Sequence, residues 1–482
     1  MTGAVAPAEE DAARLRELLW VAKLARRLHF LDNVAVGFAS ISPVVGLYGV
    51  ALVGTIVAGP AWVWVLPVAL AGQCLLIAVY AELAADFPIA GGAYQWSRRL
   101  MGAGYGWFTG WVAICAYLVA NTTVAYLGAP WALTLLGIEA TPNAVVAMGM
   151  VLVVFCATVG AFGVEVLRRG IRVGIAAEAI ASLGIGLALL LAFREQKLSL
   201  LTDTLGAEAL SGGSVGAGLL AALAVGGWVF IGFDACVAVS EETHHAARHV
   251  PRAIWLALLS VGALVMLNAV ATLLAHPDPG QIVSGNDIDP VGTAVAASFG
   301  SWSEKPFAAV VLVAFLACGT AAQGLTARTI FSTARDGVLP ASGFLSRVDR
   351  RHVPIGAVVI TTVIACLGLL LGLDSAAVGS LIAFGTAAIY CAFLLTALAA
   401  LIARLRGTWQ TSRRGLVINA FAVAWLSFET VNIAWPRTSL APPGAPDYQI
   451  WAAPLVLAVI TVAGLAYLVL ARPHRRIPRP VV

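Results

Sequence analysis

The stretch Ile231 to Glu242, IGFDACVAVSEE, continues an apolar run and sets Gly-Phe-Asp in its middle. An aspartate at the centre of a membrane-crossing helix costs about 3 kcal/mol on insertion scales, so a chain that places one there satisfies it or uses it. Gly232 reaches backbone angles closed to other residues, and Asp234 suits the N-cap of a helix restarting at Ala235. The stretch reads as a helix that breaks halfway through its crossing.

The surrounding 482 residues are 60% hydrophobic and 11% charged, against about 25% charged in a soluble domain. That balance specifies an all-α integral membrane protein. Twelve apolar stretches fall near 31–56, 61–82, 103–135, 144–164, 172–193, 216–240, 252–275, 306–333, 354–373, 376–403, 416–436 and 450–471. Each is about 20 residues or more, enough to cross ~30 Å of hydrocarbon as a helix. Of the 29 Lys and Arg residues, all but Arg194, Lys197, Lys305 and Arg437 fall on one side of this topology. Basic residues are retained in the cytoplasm, so both termini are expected there. The net charge of +4 follows from topology and implies no nucleic-acid partner.

Residues 1–30 form a cytoplasmic segment whose RLRELLWVAKLARRLHF reads as an interfacial helix. Residues 31–403 supply ten helices, 404–471 two more, and 472–482 a cytoplasmic tail. Spans 1 and 6 cross in opposite directions, and both are interrupted at mid-depth, span 1 at FASISPVVG and span 6 at FIGFDAC. Paired interruptions of this kind mark a five-plus-five inverted repeat and point to a transporter's binding site. Pro43 fits the first position of a new helix and Ser42 its N-cap. Broken helices leave bare carbonyls, which suit an ammonium or cation, and bare N–H groups, which suit a carboxylate.

Four stretches carry a family resemblance: AELAADFPIAGGAYQWSRRL (81–100), GFASISPVVGLYG (37–49), GFDACVAVSEETHHAARHVPRAI (232–254) and TARTIFSTARDGVLP (326–340). In them the chain resembles the amino acid-polyamine-organocation permeases, and most of all the amino acid/choline branch that also carries 4-aminobutyrate. The resemblance implies a LeuT-like fold, alternating access, and a central site between spans 1, 3, 6 and 8. Many such permeases hold the substrate's α-carboxylate on a Gly-Ser/Thr-Gly triplet. Here Ser42-Pro43-Val44 aligns with it, and proline removes one donor.

The expected substrate-binding set is Ser40, Ser42, Pro43, Val44 and Gly46 of the first break, Tyr117 and Asn121 of span 3, and Phe230, Ile231, Gly232, Phe233 and Asp234 of the sixth. Asp234 has two readings, a helix cap or a partner for a substrate amine. Asn121, at i+4 from Tyr117, reads as a site residue or an interhelical bond. Glu178 of span 5 lies roughly 9 Å past Arg172 along its helix. It matches the place of a titratable lysine in proton-coupled relatives, so it is the expected coupling residue; a buried glutamate bonded to a neighbouring span is the other reading.

Glu429 reads as packing or an oligomer contact. Glu82, Asp86, Glu241, Glu242, Arg328, Arg335 and Asp336 read most simply as solvated helix ends, with gate-like ion pairs as the alternative. The GxSxG match at 212–216 follows no strand, and His244, His245 and His249 lack a ligand set, so neither a nucleophile nor a metal is assigned. The seven cysteines lie in spans without a CxxC pair and read as packing.

The expected function is a secondary active transporter of small amino acids or amines in the plasma membrane, monomeric or homodimeric, with protons as coupling ion and no cofactor. Substrate exchange without an ion is the rival. A channel or an intramembrane enzyme is the reading from other classes.

Overall fold

The computed structural model describes residues 26–373, 378–410, 412–441 and 444–476, and among them every regular element is helical. Most of the expected interfacial helix and of the C-terminal tail lies outside these residues. Among the described residues eleven segments are long and apolar enough to cross a membrane. The first, Phe30–Asp86, has 57 residues, about 85 Å of straight helix and nearly three hydrocarbon thicknesses. It takes in the apolar stretches 31–56 and 61–82 that read as two spans, because α1 (Phe30–Ile41), α2 (Pro43–Ala58) and α3 (Val65–Asp86) follow one another with little between them.

The chain bends within this segment. A 3-10 turn, Gly59–Trp64, joins α2 to α3, and Gly59 takes φ 62° with no room for a side chain against the Thr204 carbonyl. The ends of the segment come back together. The Leu28 amide donates to the Glu242 carbonyl at 2.8 Å and the Ala90 amide to Glu241 Oε1 at 3.3 Å. The chain thus leaves one end of the bundle and returns to it.

Beyond α4 (Gly92–Met101), the long α5 (Ala103–Leu136) runs through the centre. It packs along α10 (Glu304–Arg335) and α11 (Val378–Leu405). Between them in sequence come α6 (Val164–Glu178), which leans on α10; α7 (Val215–Gly226) and the single turn α8 (Ala235–Ala238), the halves of the interrupted helix; and α9 (Ala246–Ala275), which crosses α1 and α3. Finally α12 (Arg413–Ala434) closes against α11 and α3.

The two long connections, 192–215 and 275–305, carry short helices at the opposite end of the bundle. In the second, Asp289 caps the helix Pro290–Phe299, accepting from the Gly292 amide at 3.0 Å. Burial, with Asp287 and Glu304 nearby, pushes its carboxyl up to about 6.

Candidate functional site

The first break forms where sequence chemistry asks for it. Helix α1 ends at Ile41, and Ser42 takes φ 51°, ψ 109°, outside the usual range of a residue with a side chain. Pro43 then opens α2, and the Ser42 hydroxyl oxygen accepts the Val45 amide at 3.1 Å as its N-cap. Non-glycine residues persist in such backbone only where their surroundings hold them. Here the holder is Glu178. Its carboxylate accepts the Ser42 hydroxyl, and also the Val44 amide at 3.3 Å and the Ser182 hydroxyl at 3.4 Å. Glu178 is itself buried, at the point where α6 passes into a π-helical stretch, Ala179–Ile185. Inserted turns of that kind recur at functional sites.

The second break follows the same logic with different residues. After α7 the chain tightens into a 3-10 turn, Gly227–Phe230, extends at Ile231, and turns at Gly232 with φ 111°. A Cβ on Gly232 would lie 2.7 Å from the Ser40 carbonyl oxygen, so the two breaks touch. Helix α8 restarts at Ala235 as expected, with Asp234 at the N-cap position. Its carboxylate, however, makes no capping bond, and the side-chain cap reading is corrected. Asp234 Oδ2 accepts instead the Tyr117 hydroxyl from α5, and Oδ1 has no partner among the described residues.

Between the breaks lies a cavity of about 40 Å³, space for two or three waters. Ser40, Tyr117, Asn121, Ile231 and Gly232 of the expected set line it, with Val45, Trp228, Cys318, Leu325, Thr326 and Ile389. Asp234 lines a smaller neighbouring cavity with Tyr117 and Thr329. Other members of the set lie behind the wall. Ser42 and Val44 are taken up by Glu178, and Gly46 packs against Val229. Phe230 and Phe233 are fully buried, Phe233 among Tyr80 and Phe393. Pro43 is buried at the head of α2. The Asn121 amide nitrogen donates to the Thr326 hydroxyl at 2.6 Å and to the Tyr117 carbonyl at 2.8 Å, so it ties α5 to α10 while facing the cavity.

The family model described as amino acid permease matches residues 30–463, taking in both breaks and the cavity between them. The chain belongs to the amino acid permease family. Among curated relatives, this permease is 29% identical over 399 residues to "Cationic amino acid transporter 3, mitochondrial" of Arabidopsis thaliana, covering 79% of this chain and 63% of that protein. It is 25% identical over 510 residues to "Amino-acid permease BAT1 homolog" of Oryza sativa subsp. japonica, covering 95% and 92%. With "Branched-chain amino acid permease BcaP" of Lactococcus lactis it shares 25% over 305 residues, covering 59% and 63%. The permease thus spans less than two thirds of the length of the Arabidopsis and Lactococcus relatives.

The charged residues at the end of the bundle that carries Leu28 are paired, and of the acids Glu241 and Glu242 are withdrawn from solvent while Glu82 stays partly exposed. Glu241 and Glu242 are 1% and 4% exposed. Arg328 meets both oxygens of Glu242, at 2.5 and 3.1 Å, and Arg335 reaches Glu241 at 3.2 Å. Asp336 takes Arg98 at 2.5 Å and the Tyr94 hydroxyl at 2.7 Å; Glu82 pairs with Arg404, and Asp86 accepts the Trp409 indole at 2.7 Å. The turn at 241–243 is also gripped from α1 and the residues just before it, through the Arg27 and Leu28 amides on the Glu242 carbonyl and the Asn33 amide on the Thr243 hydroxyl at 2.9 Å. Glu429 is fully buried within the single chain, which removes the oligomer-contact reading.

Proposed function

We propose that this permease is a secondary active transporter that carries small amino acids or amines by alternating access. The observation that carries the reading is the pair of broken helices meeting at one cavity, with the Asp234 carboxylate, one oxygen of it without a partner among the described residues, in the smaller cavity beside it. A substrate ammonium finds the Asp234 carboxylate and the carbonyl ends of the broken helices. A substrate carboxylate finds the amides that open α2. The names of the relatives, cationic and branched-chain amino acid carriers among them, support an amino acid as cargo.

Proton coupling follows from who now occupies those amides. Glu178 sits on the Val44 N–H and the Ser42 hydroxyl, the donors nearest to the place where family members hold the substrate's carboxylate. Two ionised carboxylates do not share one donor without a large Coulomb cost. Substrate arrival therefore favours a protonated, displaced Glu178, and by linkage a proton favours substrate. Exchange of two substrates is the competing drive.

Several features support the wider architecture. The 57-residue segment begins and ends at one end of the bundle, which favours two passes within it and twelve in all, arranged as an inverted repeat with two helices appended. The distribution of Lys and Arg favours cytoplasmic termini, and we assign the plasma membrane.

The test is uptake into proteoliposomes of labelled arginine, leucine, 4-aminobutyrate, choline and putrescine, under separately imposed proton and sodium gradients. Saturable uptake with counterflow, driven by an inward proton gradient, is expected. Flux that rises without saturation defeats the carrier reading, and indifference to the proton gradient defeats the coupling.

A further inference from the structure

A second cavity is larger than the central one. A cleft of about 400 Å³ opens at the end of the bundle that carries the 241–243 turn. It lies behind α10: Thr320, Gln323, Ala327 and Arg328 face it, whereas Cys318, Ala322, Leu325 and Thr326 face the central cavity. At 100° per residue these sets occupy opposite sides of the helix.

The charge of the cleft is one-sided. Arg27, Arg328, Arg350 and Arg351 line it, against two acids, Glu165 and Glu242. Both acids are already engaged, Glu165 by Arg168 at 2.9 Å and Arg169 at 3.4 Å, Glu242 by Arg328. Among the described residues Arg27, Arg350 and Arg351 stand in no ion pair with an acid. The loop that presents two of them is built, not slack. Asp349 Oδ1 accepts the Arg351 and Val353 amides, each at 2.9 Å, and His352 is held at φ 60°. The Arg351 guanidinium lies 5.3 Å from the centre of the Phe162 ring on the facing wall.

We propose that this cleft binds a phosphate-monoester anion. Its volume falls in the range of small-molecule sites, about 300–1,000 Å³. Arginine forks match phosphate oxygens two at a time, and several unneutralised forks around one space suit a dianion better than a single carboxylate. The same charges repel an ammonium, so the cleft is unsuited to cationic cargo. The phosphate comes either from a soluble monoester or from the headgroup of an anionic lipid, since the cleft opens at an end of a membrane-spanning bundle. A ligand that reaches Arg328 competes there with Glu242, and so acts on the contact that joins α10 to the 241–243 turn.

The experiment uses the full chain in phosphatidylcholine nanodiscs, which leave both faces accessible. Glycerol phosphate is titrated by its effect on melting temperature, and in parallel phosphatidic acid is included in the bilayer. Saturable stabilisation by either probe is expected, the soluble probe identifying a free monoester and the lipid a headgroup. Arg350 and Arg351 are exposed, so the double substitution Arg350→Ala, Arg351→Ala removes no buried side chain. It is expected to weaken binding about tenfold or more. The pair Arg413→Ala, Arg414→Ala, exposed but outside the cleft, is expected to change nothing. Absence of stabilisation by both probes, or equal weakening in the two double variants, overturns the proposal. So does accumulation of labelled glycerol phosphate in proteoliposomes, which would make it cargo.

Discussion

Glu178 receives hydrogen from three groups: Ser42, one turn-forming residue of a broken helix; the amide of Val44; and Ser182 on its own helix. Replacing it by glutamine keeps the size and removes the ionisation. For Glu178→Gln we expect loss of proton-driven accumulation with substrate counterflow retained, read as initial rates in proteoliposomes; undiminished accumulation across a pH gradient rejects the coupling role. Asp234→Asn tests the other carboxylate. Exchanging a charge-assisted contact for a neutral one should raise KM for arginine about tenfold or more, and should leave Glu178-dependent coupling in place. The sequence exposes Asp234 and Glu178 as acids in apolar surroundings. Their partners are hidden from it: Tyr117 lies 117 residues from Asp234 and Ser42 lies 136 residues from Glu178. Local spacing reports which residues share a helix face, not which helices become neighbours.

Both breaks were legible from local chemistry, and that legibility has a physical reason. Serine followed by proline stops one helix and starts another, and glycine supplies the positive φ that ends the apolar run. What local chemistry did not reveal is how near the two breaks come, because that depends on α1 crossing α8. The closeness is testable. Gly232→Ala puts a methyl against the Ser40 carbonyl at a backbone angle alanine avoids, with an expected cost of about 1–3 kcal/mol, read as a lowered melting temperature in detergent. Ser42→Ala removes a cap worth about 1 kcal/mol and one donor of Glu178, so it should lower stability and disturb coupling together. The helix Pro290–Phe299 offers a pH test. Its cap, Asp289, has its carboxyl raised to about 6 in the fold, from 3.8. The folded chain then holds more proton than the unfolded one between those values, and stability falls as pH rises through that window. The Asp289→Asn variant should flatten that slope in a melting series; an unchanged slope assigns it to other groups.

At the scale of the molecule, hydropathy predicted a polytopic helical protein, and the helical bundle follows that pattern. Among the described residues eleven segments are long and apolar enough to cross a membrane, against twelve apolar stretches in the sequence, since α1, α2 and α3 run on almost without a loop. Cysteines introduced at Arg27 and Lys197 should react with an impermeant maleimide from opposite sides of the membrane, Arg27 from the cytoplasm; reaction from one side only would refute the assigned orientation. The turn at 241–243 has a kinetic consequence. Main chain just ahead of α1, the Asn33 side chain within it, the Ala90 amide and two arginines of α10 all fasten on three consecutive residues. Fastenings that share one anchor are expected to give way together, so that this end of the bundle opens in one event. Its release should have a steep temperature dependence, and single arginine substitutions should speed it in proportion to the bond removed instead of leaving it ajar.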